Sequence, residues 1–269
     1  MPMQTPSLQL QRPPVIEVVL GVQFAPIQGL SNGHLGLFWH RLRSGYPSAD
    51  DAPPVPIELE SFGDDPEFGA PGIAIRQVSG DSRLRMRSDD GSRMVQIQNG
   101  WLLANWMKMP NGAYPGYSGV LERLLDARER FEGFLKDEGL PPMAPAVWEV
   151  TYVDHIRRGT VWKDWADVPK VVPGLLGSCA SSEGGLRAIS GSWSFGLGGG
   201  RGRMTVSLQT ARTADDPATD LLLMQFSSRG PISNAGLEAD LNFGQRVSVE
   251  TFMSVVAKDS LAYWKGSLQ

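Results

Sequence analysis

Between Met94 and Phe131 the chain runs through a strand, a two-residue Asn99-Gly100 turn, a second strand, a Tyr114-Pro115-Gly116-Tyr117 corner and a regular helix. This order leaves few ways to fold. Asn-Gly between apolar runs marks a hairpin, because a type I′ turn needs positive φ at both central residues and these two tolerate it best. From Gly119 onward Val120, Leu121, Leu124, Leu125, Phe131 and Leu135 recur at helical spacing, with Glu122, Arg123, Asp126, Arg130 and Glu132 mostly on the other side. One helix is expected to lay this stripe on one face of the sheet.

The rest of the chain extends the same plan. Residues 1–12 are polar without a period and read as a flexible tail. Val15–Phe24 alternates apolar residues with Glu17, Gly21 and Gln23, which predicts a strand with one buried face. Ser31 stands where a helix N-cap belongs, and Gly45-Tyr46-Pro47 ends that helix. Ser48 to Gly72 reads as a surface excursion with a short strand at Ile57–Glu60. Ile73 to Lys108 reads as an antiparallel meander, turning at Gly80-Asp81, at Asp89-Asp90-Gly91 and at Asn99-Gly100. The helix from Gly119 to Lys136 closes the unit. The proline-rich stretch from Gly139 to Pro145 opposes both helix and central strand, which makes it the expected boundary between units 13–140 and 141–269.

The second half repeats the first. Pro145-Ala-Val147-Trp-Glu149-Val150 matches Pro13-Pro-Val15-Ile-Glu17-Val18, Arg203–Gln209 echoes Arg93–Gln98, and Leu221–Phe226 echoes Trp101–Trp106. A helix near Trp165–Leu176, strands at Leu186–Phe195, Arg203–Gln209 and Leu221–Phe226, and a closing helix at Gln245–Trp264 complete the series. Each half then reads β-α-β-β-β-α, and internal duplication is the simplest account. The expected fold class is α+β: two repeats with curved antiparallel sheets and helices on one face, in the manner of TATA-binding-protein-like or helix-grip-like folds. Folds of this kind host unrelated activities, so the class implies none.

Composition narrows the function by exclusion. With 269 residues, 41% hydrophobic and 20% charged, the chain can bury a substantial core. A net charge of −4, from 25 basic and 29 acidic residues, gives no general attraction to phosphate or anionic lipid. Nucleic acid is therefore a disfavoured partner, although a local basic patch stays open. The N-terminus lacks the basic and apolar regions of a signal peptide, and no apolar run approaches the roughly 20 residues of a membrane span, so a soluble, cytoplasmic protein with no membrane partner is expected. The single cysteine, Cys179, excludes an internal disulfide and multi-cysteine metal motifs.

Val15-Ile-Glu-Val-Val-Leu20, Gln96-Ile-Gln98 with Trp101 and Asn105-Trp106, Tyr114-Pro115-x-Tyr117 and Val150-Thr-Tyr-Val153 resemble, in this order and over most of the chain, a sporadically distributed prokaryotic family of proteins of about this length. The resemblance supports the unit boundaries and implies no activity, since none is assigned to the family. Asp154 stands where the family pattern leads one to expect Asn, and Met107 where it leads one to expect a basic residue. Both departures count against a role for those positions.

The candidate chemistry is sparse. His34 and His40 are six apart and so on different helix faces, which excludes a His-Glu-x-x-His pair; His155 stands alone. Cys179 reads as a small buried or loop residue, with a Cys–His pair left open. The run from Gly196 to Gly202 lacks the Lys-Ser/Thr of a P-loop and precedes a strand, so it reads as a hairpin loop. Glu17 and Glu149 occupy equivalent places in the two halves and invite comparison with a catalytic carboxylate pair, which needs roughly 5–10 Å between carboxyls. Solvation on an outer strand face is the plainer reading. Arg83, Arg85 and Arg87 share one face of a strand by period two, with Arg93 expected to add to the row from the neighbouring strand. Arginine forks suit phosphate and carboxylate, and Trp101, Trp106, Tyr114 and Tyr117 cluster near them in sequence, a mixture that interfaces favour.

The expected binding residues are thus Arg83, Arg85, Arg87, Arg93, Trp101, Tyr114 and Tyr117, with no catalytic residue, cofactor or metal. The expected function is a non-enzymatic protein-binding accessory role, immunity or antitoxin-like, in a mobile or defence locus. The alternatives are a nucleic-acid binder using an arginine-lined sheet face and an enzyme with a pocket between sheet and helices.

Overall fold

The structure is a computed structural model and describes residues 10–55, 62, 82–110, 112–173, 186–213, 216 and 218–266. Its strands are β1 (Val15–Phe24), β2 (Ser48–Ala52), β3 (Arg83–Arg87), β4 (Arg93–Gln98), β5 (Trp101–Met107), β6 (Pro145–Arg157), β7 (Ser190–Leu197), β8 (Gly202–Arg212) and β9 (Asp220–Pro231). Its helices are α1 (Asn32–Leu42), α2 (Gly116–Asp137), α3 (Val168–Val171), α4 (Leu237–Val255) and α5 (Lys258–Trp264), with a 3-10 turn at Trp165–Asp167 leading into α3. The fold class is α+β. All the strands form one antiparallel sheet in the order β2-β3-β4-β5-β1-β6-β9-β8-β7.

β1 and β6 pair at the centre, with Val18 opposite Tyr152 and Val22 opposite Trp148. Outward from β1 the sheet runs β5, β4, β3 and β2; outward from β6 it runs β9, β8 and β7, so the first half carries one strand more than the β-α-β-β-β-α order expected of it. Alternation decides which face the helices cover. Val18, Leu20 and Val22 of β1, Leu102, Ala104 and Trp106 of β5, and Trp148 and Val150 of β6 are all buried on one face. Against it α2 sets Val120, Leu124, Phe131, Phe134 and Leu135, with the Phe131 ring 5.1 Å from Phe38 of α1. Burying each such side chain contributes about 1.5–3 kcal/mol, which is why the stripe fixes the helix to this face. A second cluster joins Met204, Val206, Met224 and Phe226 to Phe252, Val256 and Trp264.

Trp148 sits where the two clusters approach. Its ring lies edge-on to Phe243 at 6.0 Å and 86°. The space it fills exists because Gly230 and Gly244 carry no side chain: a Cβ on Gly244 would fall on the indole, and one on Gly230 would fall on the Arg201 carbonyl. No helix among the described residues is long and apolar enough to cross a membrane.

Several elements depart from the expectations. Ser48–Ala52, expected to lie in a surface excursion, is the edge strand β2, paired with β3 through Asp50 opposite Arg85. Its Ser-Ala-Asp-Asp-Ala sequence has no apolar alternation because the strand is held by its ladder and by charge. The closing helix is two helices, since Val256 is extended (ψ 142°) and the Ala257 N–H bonds Val171 O instead of continuing the helical ladder. β7 starts at Ser190, later than expected. The tail is anchored at its end: the Arg12 N–H bonds Trp264 O, and its guanidinium lies 5.5 Å from the Tyr263 ring. Residues 1–9, the Ile57–Glu60 strand, the Gly80-Asp81 turn and Cys179 lie outside the described residues.

Candidate functional site

Where β1 begins, its ladder with β6 slips: Val15 lies opposite Asp154 and Glu17 opposite Val153, which leaves Ile16 as a bulge. Pro13 and Pro14 precede it. On the helix face this end of the seam is roofed by the start of α2 and the middle of α4, which stand apart and leave a cavity of about 560 Å³. That volume falls in the range of small-molecule sites. Its wall is largely apolar and aromatic: Leu10, Pro13, Pro14, Val15, Phe226, Val249 and Phe252, with Tyr114, Tyr117 and Tyr152. The polar groups are few, namely Gln11, Gln245, Ser248 and the carboxyl of Asp154.

Asp154 is 3% exposed, and no hydrogen bond reaches its carboxyl from any described residue. The neighbouring prolines explain part of this, since they bring no N–H. Burial pushes its pKa up to about 7, with no cation among the described residues to oppose it. The Tyr152 hydroxyl interacts with both the Tyr114 hydroxyl and the Gln245 side chain. The Tyr117 hydroxyl is buried without a partner. Burial raises all three tyrosines, Tyr114 to about 12, so they are neutral hydrogen-bonding groups at any physiological pH. A carboxyl and a phenol with unmet hydrogen-bonding capacity thus share the wall of one cavity, where each is able to bond a guest.

The expected binding residues do not form a single site. Arg83, Arg85 and Arg87 do share one face of β3, the face away from the helices, while Leu84 and Met86 point to the core. Asp50 of β2 takes hydrogen bonds from Arg85 Nε at 2.9 Å and from Arg87 Nε at 3.4 Å, and these guanidinium groups hold its carboxyl below the usual range despite some desolvation. Arg83 Nε is buried without a hydrogen bond. Arg93 lies opposite Trp106 and therefore on the helix face, where its charge acts on Tyr46 and on Arg123 of α2; it does not extend the row. Trp101 is on the arginine side of the sheet, paired with Gln98 and Gln23. Tyr114 and Tyr117 belong to the cavity on the opposite side of the sheet.

The remaining candidates resolve locally. Glu17 accepts from Asn105 Nδ2 at 2.7 Å, and Asn105 Oδ1 accepts from Gln96 Nε2 at 3.0 Å. Glu149 lies opposite Gly21, four positions along the ladder from Glu17, roughly 13 Å and beyond the reach of a carboxylate pair. Burial raises the Glu149 pKa, and Arg229 beside it works the other way. His34 accepts the Ser31 N–H at 3.2 Å and so belongs to the start of α1. Gly196–Gly202 is the β7–β8 hairpin, with positive φ at Gly199, Gly200 and Gly202. No group of three or more potential metal ligands occurs among the described residues.

Asp154, Tyr152, Gln245, Phe226 and Phe252 were not anticipated. One signal was present: period two puts Asp154 on the face of Trp148, Val150, Tyr152 and Ile156, and a carboxylate on the buried face of a strand is unusual enough to mark a site. No protein-family model matches the chain, and no curated protein matches it.

Proposed function

We propose that this chain is a non-enzymatic binding protein of two units, 13–140 and 141–269, related by duplication of a β-α-β-β-β-α plan to which the first unit adds the edge strand β2, and arranged in a TATA-binding-protein-like or helix-grip-like manner. Its recognition site is the cavity at the seam between them. The matching return order of the first three strands on either side of β1 and β6 supports the duplication, with β2 an addition at the edge of the first unit. The observation that carries the binding site is Asp154, a buried carboxyl on the cavity wall that accepts no hydrogen bond from any described residue. The test is thermal denaturation in the presence of fractionated small molecules from a cell extract, for the wild type and for Val249→Phe, which fills the cavity from α4. A ligand at a hundredfold its Kd stabilises by about 2.7 kcal/mol, a shift of several degrees. Stabilisation is expected for the wild type and not for the variant. No fraction stabilising the wild type, or equal stabilisation of both, overturns the proposal.

A second reading is favoured by Arg83, whose buried Nε has no hydrogen bond while Arg85 and Arg87 converge on Asp50. Here the arginine face meets an acidic surface of a protein partner, in the accessory, immunity or antitoxin-like role. Charge reversal at Arg83, Arg85 and Arg87 to Glu is expected to abolish capture of one partner by at least tenfold, with DNA and RNA binding weak and equal in both proteins. Tight wild-type binding to nucleic acid at physiological salt, lost in that variant and falling steeply with salt, would instead favour phosphate recognition.

A further inference from the structure

We infer that the cavity takes an organic cation, an amine or quaternary ammonium group carried on an apolar or aromatic body. This rests on the cavity being the binding site and adds its chemical class. Among the described residues Asp154 is the one charged side chain in the wall, which holds no Lys, Arg or His. An anion would therefore meet a carboxylate with no countercharge, and a purely apolar molecule would leave that carboxyl and the Tyr117 hydroxyl unmet. A cation satisfies the carboxyl by charge and hydrogen bond together. The rest of the wall fits the same guest, because the faces of Tyr114, Tyr117, Tyr152, Phe226 and Phe252 attract a cation through their quadrupoles and accommodate an apolar body.

The groups around Asp154 give binding a defined pH dependence. From β6 and the approach to α2 it faces Tyr152, Tyr114 and Tyr117, all neutral; from α4 it faces Gln245 and Ser248; from the N-terminal segment it faces Gln11 and the prolines. Glu238 at the start of α4 acts on Tyr117. Arg12, the cation of the N-terminal segment beside Gln11 and Pro13, is turned to Tyr263. A bound cation favours the ionised carboxyl, so binding near pH 7 expels a proton from Asp154. Affinity should rise about tenfold per pH unit below 7 and level off above it.

The experiment is isothermal titration with three matched probes, 2-phenylethylamine, 2-phenylethanol and 3-phenylpropionate, at pH 8 for the wild type, Asp154→Asn and Val249→Phe. The amine is expected to bind the wild type at least tenfold more tightly than the alcohol, and the acid more weakly than either. Asp154→Asn should bring the amine down to the alcohol's affinity without changing the alcohol, and Val249→Phe should block all three. Repeating the amine titration at pH 7 in two buffers of different ionisation enthalpy should report net proton release in the wild type and none in Asp154→Asn. Equal binding of amine and alcohol, or tightest binding of the acid, with Val249→Phe still blocking, would overturn the cation class and leave the cavity reading standing. No binding of any probe at millimolar concentration would overturn the inference, and the extract experiment then decides the cavity reading separately.

Discussion

Asp154→Asn is expected to raise the stability of the empty protein at pH 8 by about 4 kcal/mol while leaving it nearly unchanged at pH 4. The sign follows from burial. The folded carboxyl has a pKa of about 7, against roughly 3.9 in the unfolded chain. Between these values the folded protein holds a proton that the unfolded chain has released, so stability falls as pH rises from about 4 through 7 and is flat beyond. About three pKa units at 1.36 kcal/mol each give the figure, to order of magnitude. Asparagine has the same shape and no proton to lose, so it escapes the decline. Asp50, Asp90 and Asp167 are held low by their partners and impose the opposite slope, but they do so in both proteins and cancel in the difference. Urea midpoints measured from pH 4 to 8 provide the check. Two curves running parallel across that range would mean that Asp154 is not a buried, uncompensated acid.

Trp148→Ala is expected to cost about 3–5 kcal/mol and roughly 10 °C in Tm. The indole is 1% exposed and packs against β9, α4 and Phe243, so no water or neighbouring side chain can take its place without movement. The glycines beside it supply an internal control. Gly244→Ala in the wild type forces the ring to shift and should itself destabilise, whereas in the Trp148→Ala background the added methyl enters the vacated space. The double variant should therefore be more stable than the sum of the single losses implies, with a coupling of about 1 kcal/mol or more. Simple additivity would show that the ring does not depend on the missing side chain at Gly244.

What the sequence disclosed and what it withheld divide along physical lines. β1, the Asn99-Gly100 hairpin and the stripe of α2 were legible because one buried face imposes a period that the residues carry themselves, although the turn is not the expected type I′, since Gly100 has positive φ and Asn99 does not. Ser48–Ala52 carries no such pattern; it is a strand because Arg85 and Arg87 face Asp50 across the ladder, a relation between segments. Arg93 was assigned to the wrong face for a similar reason. The register that sets Met86 against Val95 also sets Arg93 with the helix-facing residues, and register depends on the turn between β3 and β4. Tyr114 and Tyr117 follow the hairpin in sequence yet belong to the other side of the sheet, because the corner that carries them leads onto α2. The cavity needed all of these relations at once. Only Asp154 carried a signal of it, as an acid on the apolar face of a strand, and there the family pattern pointed the other way, counting against a role for that position.

The central seam also bears on how the chain is made. β1 pairs through one edge with β5 and through the other with β6, where Gln23 meets Val147. A chain that has emerged from the ribosome as far as Leu140 can close the first ladder but not the second, and it holds one row of backbone donors and acceptors of β1 bare until β6 is synthesised. Such an edge recruits whatever strand is nearest, a neighbouring nascent copy included. A fragment ending at Leu140 is accordingly expected to self-associate through that open edge, which β6 covers in the full chain.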